Sequence, residues 1–308
     1  MKSLLEYICE SPDIILESTP EDIKAMKKWL KSHQAKKLKV VGDEITVVGK
    51  TGSAINEITF DGSEKELPDF VKFDKTPYSA TLEINGKGLE TLKGFPTPGA
   101  AAHMNLYELD KLSDFDLDFS ENDVVGSISF YDCDGLKSFS GFKTLKTKYP
   151  MMPYIYLYRC KNLASLKDFQ EGDVRLCKVI GCGIKSLEGY KTYPGVFNKS
   201  EGTDIKVEEC PNLVSLDLEG DLAPRVLEVR KCPKLKKVGK FNFKSGKIDY
   251  VDFWKSGIDE RFLEDFIELA PFNEKYCSLN LRQTSIKEDS DVVKKIIKKY
   301  PNCKIDFD

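Results

Sequence analysis

The chain has 308 residues, 41% of them apolar, with 47 Lys and Arg against 50 Asp and Glu for a formal net charge of −3. The apolar content suffices for a sizeable core, and the balanced charge lacks the basic excess of nucleic-acid binders, so nucleic acid is an unfavoured partner. No stretch approaches the roughly 18–20 consecutive apolar residues of a membrane span.

The chain opens Met1-Lys2-Ser3-Leu4-Leu5-Glu6-Tyr7-Ile8-Cys9-Glu10-Ser11. It has no long apolar core and no small-residue cleavage site, so it does not read as a secretory signal. Read as a helix, it is amphipathic, with Leu4, Leu5 and Ile8 on the apolar side. Met1, Lys2, Ser3, Glu6, Tyr7, Ile8, Glu10 and Ser11 resemble the N-terminal leaders of proteins packaged in tailed-phage heads. The resemblance implies delivery into an assembling capsid and cleavage after Glu10. Residues 1–18 are expected to form this leader or helix.

Next comes Thr19-Pro20-Glu21-Asp22, a helix start with Thr19 as N-cap and Pro20 in the first helical position. Ile23, Met26, Lys27 and Leu30 continue that helix to about Ser32. Leu38–Val48 places Gly42-Asp43 between two β-rich runs and predicts a hairpin. Residues 19–54 should therefore be a small α/β cap over a solenoid end. Gly49-Lys50-Thr51 has the ending of a phosphate-binding loop, but Glu44 stands where that loop needs its first glycine.

From residue 55 onward one unit recurs. Ile155-Tyr-Leu157-Tyr-Arg-Cys160-Lys-Asn-Leu163 matches Ile205-Lys-Val207-Glu-Glu-Cys210-Pro-Asn-Leu213 and Leu227-Glu-Val229-Arg-Lys-Cys232-Pro-Lys-Leu235, and Ile128-Ser-Phe130-Tyr-Asp-Cys133-Asp-Gly-Leu136 is a fourth copy. Weaker copies begin at Ile58, Leu82, Met104, Cys177, Val251, Leu279 and Ile305, so successive starts lie 22 to 28 residues apart. The unit resembles the leucine-rich repeat. Tails such as Ile184-Lys-Ser-Leu187-Glu-Gly-Tyr190 are similar to the degenerate repeats of phage and bacterial proteins. The resemblance implies an α/β leucine-rich-repeat solenoid over residues 55–308, with about eleven strands in a curved parallel sheet and an irregular convex side.

A buried turn after each strand leaves amides that need partners, so a small side chain is wanted at one fixed position. That column reads Ser63, Lys87, Leu109, Cys133, Cys160, Cys182, Cys210, Cys232, Ser256 and Thr284, which accounts for five of the nine cysteines. A metal or redox array is the competing reading. It needs sulfur ligands converging at about 2.3 Å, whereas stacked strands hold equivalent side chains about 4.8 Å apart. No metal and no cofactor is expected. Residues 259–270 and 288–300 have helical apolar spacing and end before Pro271 and Pro301. The last repeats should thus be strand–helix units, closed by a strand at Cys303–Phe307.

Catalytic pairings find little support. There are two histidines, His33 and His103, each read as an ordinary surface or partly buried residue, and no motif singles out a carboxylate pair. What remains is a partner surface. The column just after each strand reads Asp61, Asn85, Tyr107, Tyr131, Tyr158, Ile180, Glu208, Arg230, Trp254 and Arg282; within the strand it reads Tyr156, Lys178, Lys206, Glu228 and Asp252, with Tyr154 preceding its strand. Tyr, Trp and Arg are the types enriched at binding hot spots, although tyrosines also suit a parallel sheet for its own sake. Tyr107, Tyr131, Tyr156, Tyr158, Arg230, Trp254 and Arg282 are the expected contacts for a protein partner on the concave face. The expected function is non-enzymatic binding or structure, in a phage virion- or assembly-associated protein of the virion or host-cell cytoplasm. The alternatives are a free intracellular module that occupies a host protein, and an enzyme whose site spans repeats.

Overall fold

The computed structural model describes residues 24, 28, 39–41, 44–46, 57–60, 65–66, 81–93, 95, 103–113, 127–137, 154–166, 175–188, 191–192 and 204–308. The leader with Glu10, Gly49-Lys50-Thr51, Asp61 and Ser63 lie outside them. Two residues of the expected first helix, Lys24 and Lys28, are described, and both are helical and exposed. Strands β1 (Lys39–Val41) and β2 (Glu44–Thr46) pair antiparallel with Val41 opposite Glu44, as a hairpin within Leu38–Val48 requires; Gly42 and Asp43 lie outside the described residues.

The chain divides into two compact units, Met1–Tyr156 with Glu171–Val174, and Leu157–Gln170 with Arg175–Asp308. In the first, β3 (Glu57–Phe60), β4 (Thr81–Gly86), β5 (His103–Tyr107) and β6 (Ser127–Tyr131) form a parallel sheet in sequence order. Strand β7 (Tyr154–Tyr158) straddles the division. Tyr154, expected just ahead of the strand, is its first residue.

The second unit holds β8 (Arg175–Ile180), β9 (Lys191–Thr192), β10 (Ile205–Glu208), β11 (Ser215–Leu222), β12 (Val226–Arg230), β13 (Lys237–Ser245), β14 (Tyr250–Asp252), α1 (Glu260–Leu269), β15 (Cys277–Asn280), α2 (Asp291–Lys299) and β16 (Cys303–Asp306). Its main sheet runs β8-β10-β12-β14-β15-β16, all parallel. A second parallel sheet, β9-β11-β13, lines the return side. Each turn of chain thus adds one strand to a parallel sheet, and the fold is a parallel-sheet solenoid.

The period-two pattern builds the interior. Met104 and Leu106, Ile128 and Phe130, Ile205 and Val207, Leu227 and Val229, and Val251 and Leu279 are all at most 2% exposed. Full burial of each stabilises by roughly 1.5–3 kcal/mol. The alignment of repeats matches the strand registers at Leu82↔Met104, Met104↔Ile128, Ile205↔Leu227, Leu227↔Val251, Val251↔Leu279 and Leu279↔Ile305. The first strand departs from it. Ile58 pairs with Ile84 rather than Leu82, so Thr59, not Asp61, stands beside Asn85. A two-residue slip keeps every side chain on its own face, so apolar alternation alone does not distinguish the two registers.

The return side is more regular than expected. β11 has eight residues and β13 nine, where an irregular or short return was anticipated. The approach of the two strands fixes a glycine, because a Cβ at Gly239 would lie 1.7 Å from Asp217 Oδ1. The same oxygen accepts the Lys240 amide at 3.1 Å. Farther on, helices replace the strand return. Asp259 Oδ1 accepts the Phe262 amide at 3.0 Å and starts α1. Phe266 of α1 packs on Phe241 at 5.2 Å, Phe253 at 5.2 Å and Phe272 at 5.8 Å, and Tyr300 closes the cluster on Phe272 at 5.3 Å.

Candidate functional site

From β5 to β15, the residue after the last outward side chain of each main-sheet strand has a left-handed backbone. Glu108 and Asp132 in the first unit have φ of 54°, and Arg159, Glu209, Lys231, Lys255 and Gln283 in the second have φ between 53° and 57°. Gly181, after β8, takes the same conformation at φ 67°. Each such conformation costs a non-glycine residue about 1–2 kcal/mol. The turn repays it by aiming an amide at the neighbouring repeat: Glu108 donates to the Tyr131 carbonyl at 2.9 Å, Glu209 to Arg230 at 3.1 Å, Lys231 to Trp254 at 2.9 Å and Lys255 to Arg282 at 3.0 Å. Sequence reasoning missed this column, although Gly181 and Asp132, both tolerant of that conformation, hinted at it.

The next position is the small-residue column. Cys133, Cys160, Cys182, Cys210 and Cys232 are fully buried and unpaired by disulfide. Their thiols donate to the carbonyl two residues back, from Cys232 to Arg230 at 3.2 Å up to Cys160 to Tyr158 at 3.7 Å. Cys133 and Cys210 also reach a carbonyl of an earlier strand, Leu106 at 3.5 Å and Val179 at 3.7 Å. Ser256 does the same more strongly: its hydroxyl donates to Val229 at 2.7 Å and accepts from the Cys232 amide at 3.2 Å. A hydrogen bond with Cys232, followed by burial, pushes the Cys210 thiol up. These groups hold turns together. Among the described residues, no group of three or more His, Cys, Asp or Glu side chains is placed to hold a metal ion.

In the first unit the outward face is aromatic and largely uncharged. Tyr107 and Tyr131 stack with centroids 4.8 Å apart and planes 12° apart, which is the strand spacing itself. The pair stands on Asn105 and Ser129, and His103 Nδ1 is hydrogen-bonded to Ser127 Oγ. Burial, Glu83 and Tyr131 together raise the Tyr107 pKa, in that order.

The outward face of the second unit is an ion-pair lattice. Lys206 pairs with Glu208 at 3.2 Å on its own strand and with Glu228 at 3.4 Å across to β12. Arg230 pairs with Glu228 at 3.3 Å and Asp252 at 2.6 Å. Lys231 joins Glu208 at 3.2 Å and Glu209 at 2.7 Å, and its ammonium lies 5.2 Å from the centroid of the Trp254 ring. Burial alone would raise the Glu208 pKa, but hydrogen bonds from Lys231 and Lys206 outweigh it and hold the carboxyl below its ordinary value. Burial works against the Arg230 charge, and Asp252 more than offsets it.

Asp252 was expected on the open face. The structure buries it to 1% exposure. One oxygen, Oδ2, accepts from Arg230 Nε at 2.7 Å and Tyr250 Oη at 2.8 Å, while Oδ1 accepts the Trp254 amide at 2.8 Å. Its strand ends there, and the carboxylate satisfies the amide that the ladder drops. Asn280 repeats the device one strand on, accepting the Arg282 amide at 3.1 Å.

The seven expected contacts therefore separate. Tyr107 and Tyr131 come together as a stacked pair. Tyr156 and Tyr158 lie half-buried on β7, with Arg159 donating to Ile180 of β8 at 2.7 Å. Arg230 is committed to internal carboxylates, Trp254 is half-buried beneath Lys231, and Arg282 is exposed. Among the described residues, no helix is long and apolar enough to cross a membrane. No protein-family model, curated protein or solved structure matches this chain.

Proposed function

We propose that the protein is a non-enzymatic binding or structural repeat protein, built from leucine-rich-type repeats, whose outward sheet face receives a protein partner. We further infer that it serves as a phage virion- or assembly-associated component. The observation that carries the binding reading is the outward face itself. Its in-register rows set aromatic and cationic side chains at fixed spacing on a rigid sheet, with the stacked Tyr107–Tyr131 pair in one unit and Trp254 beside Arg282 in the other. Aromatic residues and arginine give large contact area at small entropic cost. The column of buried thiols and hydroxyls donating to turn carbonyls supports the repeat type. The N-terminal residues through Glu10 support the phage assignment.

Affinity capture from infected or native cells tests the binding reading. The wild-type chain is expected to retain a protein that the triple variant Tyr131→Ala, Tyr158→Ala, Trp254→Ala loses. Equal retention by a folded triple variant contradicts it. Mass spectrometry of purified particles tests the phage assignment: presence of the chain, beginning at Ser11, supports it, and absence from particles leaves the free intracellular module in its place.

A further inference from the structure

We propose that Arg282, Lys255 and Trp254 form the docking point for an acidic segment of the partner protein, an inference that rests on the binding reading above. The second unit's outward face bears several cations. Lys206, Arg230, Lys231 and Lys304 each lie within 3.4 Å of a carboxylate of their own chain. Arg282 and Lys255 break that pattern. Both are exposed, and among the described residues neither has a carboxylate within ion-pair distance. They are neighbours, since the Lys255 amide donates to the Arg282 carbonyl at 3.0 Å.

Trp254 stands between Lys231 and Arg282. On its β12 side Lys231 lies 5.2 Å from the ring centroid; on its β15 side the row continues to Arg282. The nearby carboxylates are already engaged: Asp308 Oδ2 accepts the Gln283 amide at 2.8 Å, and Asp306 pairs with Lys304 at 3.0 Å. An incoming carboxylate meets a planar guanidinium suited to bidentate contact. An adjacent apolar side chain of the same segment meets the indole. The chain as a whole is acidic, at −3, so attraction of an acidic peptide has to come from local contacts to Arg282 and Lys255 rather than from net charge.

The test uses the full-length chain and a fluorescein-labelled hexaglutamate peptide, with hexaglutamine as the neutral probe, read by fluorescence anisotropy at fixed ionic strength. Saturable binding of hexaglutamate alone is expected. Arg282→Gln should weaken it at least tenfold and Lys255→Gln about threefold. Lys244→Gln removes the same charge from β13, where the side chain is 81% exposed, and should leave the affinity unchanged. No saturable binding, equal binding of hexaglutamine, or equal weakening by Lys244→Gln overturns the proposal. In the capture experiment, a partner retained in full by Arg282→Gln but lost by the triple variant overturns this inference and leaves the binding reading standing.

Discussion

The two units share a backbone and differ in what they write on it. Both pair their strands in parallel, and both use a left-handed turn that hands an amide to the next repeat. Yet one face is a tyrosine stack over Asn105 and Ser129, while the other is a lattice of Lys206, Glu208, Glu228, Arg230, Lys231 and Asp252. The lattice is largely satisfied by its own members, so most of its charge is spent on holding strands together. Residue type alone thus overstates Arg230 as a partner contact, and the same residue type two repeats later, at Arg282, is available. The lesson concerns columns: a side chain's availability depends on its neighbours in the flanking repeats.

The largest effect should separate the two faces. Asp252→Ala leaves Arg230, Tyr250 and the Trp254 amide without their common acceptor, and should cost about 2–4 kcal/mol in urea denaturation. The corresponding change in the first unit, Tyr131→Ala, loses a stacked ring and should cost about 1–2 kcal/mol. Equal costs would mean that the lattice contributes no more than a pair of rings.

A second comparison concerns what the units share. Glu108→Val and Gln283→Val place a β-branched residue at φ of 54° and 57°, and each should lose about 1–2 kcal/mol. Glu108→Gly and Gln283→Gly should stay within about 0.5 kcal/mol of wild type, relief of strain offsetting added chain entropy. A marked difference between the two sites would break the claim of a common turn.

The smallest effect is electrostatic. The Glu208 carboxyl is held below its ordinary value by Lys231 and Lys206. Its contribution is therefore fully present above the unfolded carboxyl pKa of about 4.3, and is lost as pH falls through the lowered folded value. Solvent screening keeps it under about 1 kcal/mol. Hydrogen exchange should show segment 205–230 loosening between about pH 5 and 3, and with added salt, more than segment 103–131. Parallel behaviour of both segments would remove the electrostatic distinction.

Much of the fold was legible in sequence because one rule generated it. Apolar alternation followed by a small residue gave the strands, the cysteine column and the registers from Leu82 onward. It failed at Ile58, where a two-residue slip leaves the alternation intact. The helical apolar spacing of residues 259–270 marked α1, and Pro271 marked its end, but the cap at Asp259 was not read. The β11 and β13 strands were not legible, since their pairing depends on Asp217 meeting Gly239 across the return side. The candidate face was legible as a set of columns. Its energetics were not, because the burial of Asp252 follows from the strand ending at that residue and the Trp254 amide turning back onto it.

The central claim is that the outward sheet face is the partner surface, and hydroxyl-radical footprinting of the chain with and without the captured partner tests it most directly. Tyr107, Tyr131 and Trp254 lie on that face, while Tyr276, 59% exposed, precedes β15. Partner binding is expected to slow oxidation of Tyr107, Tyr131 and Trp254 and to leave Tyr276 unchanged. Protection of Tyr276 together with Phe243 of β13, with the three face residues unaffected, would contradict it.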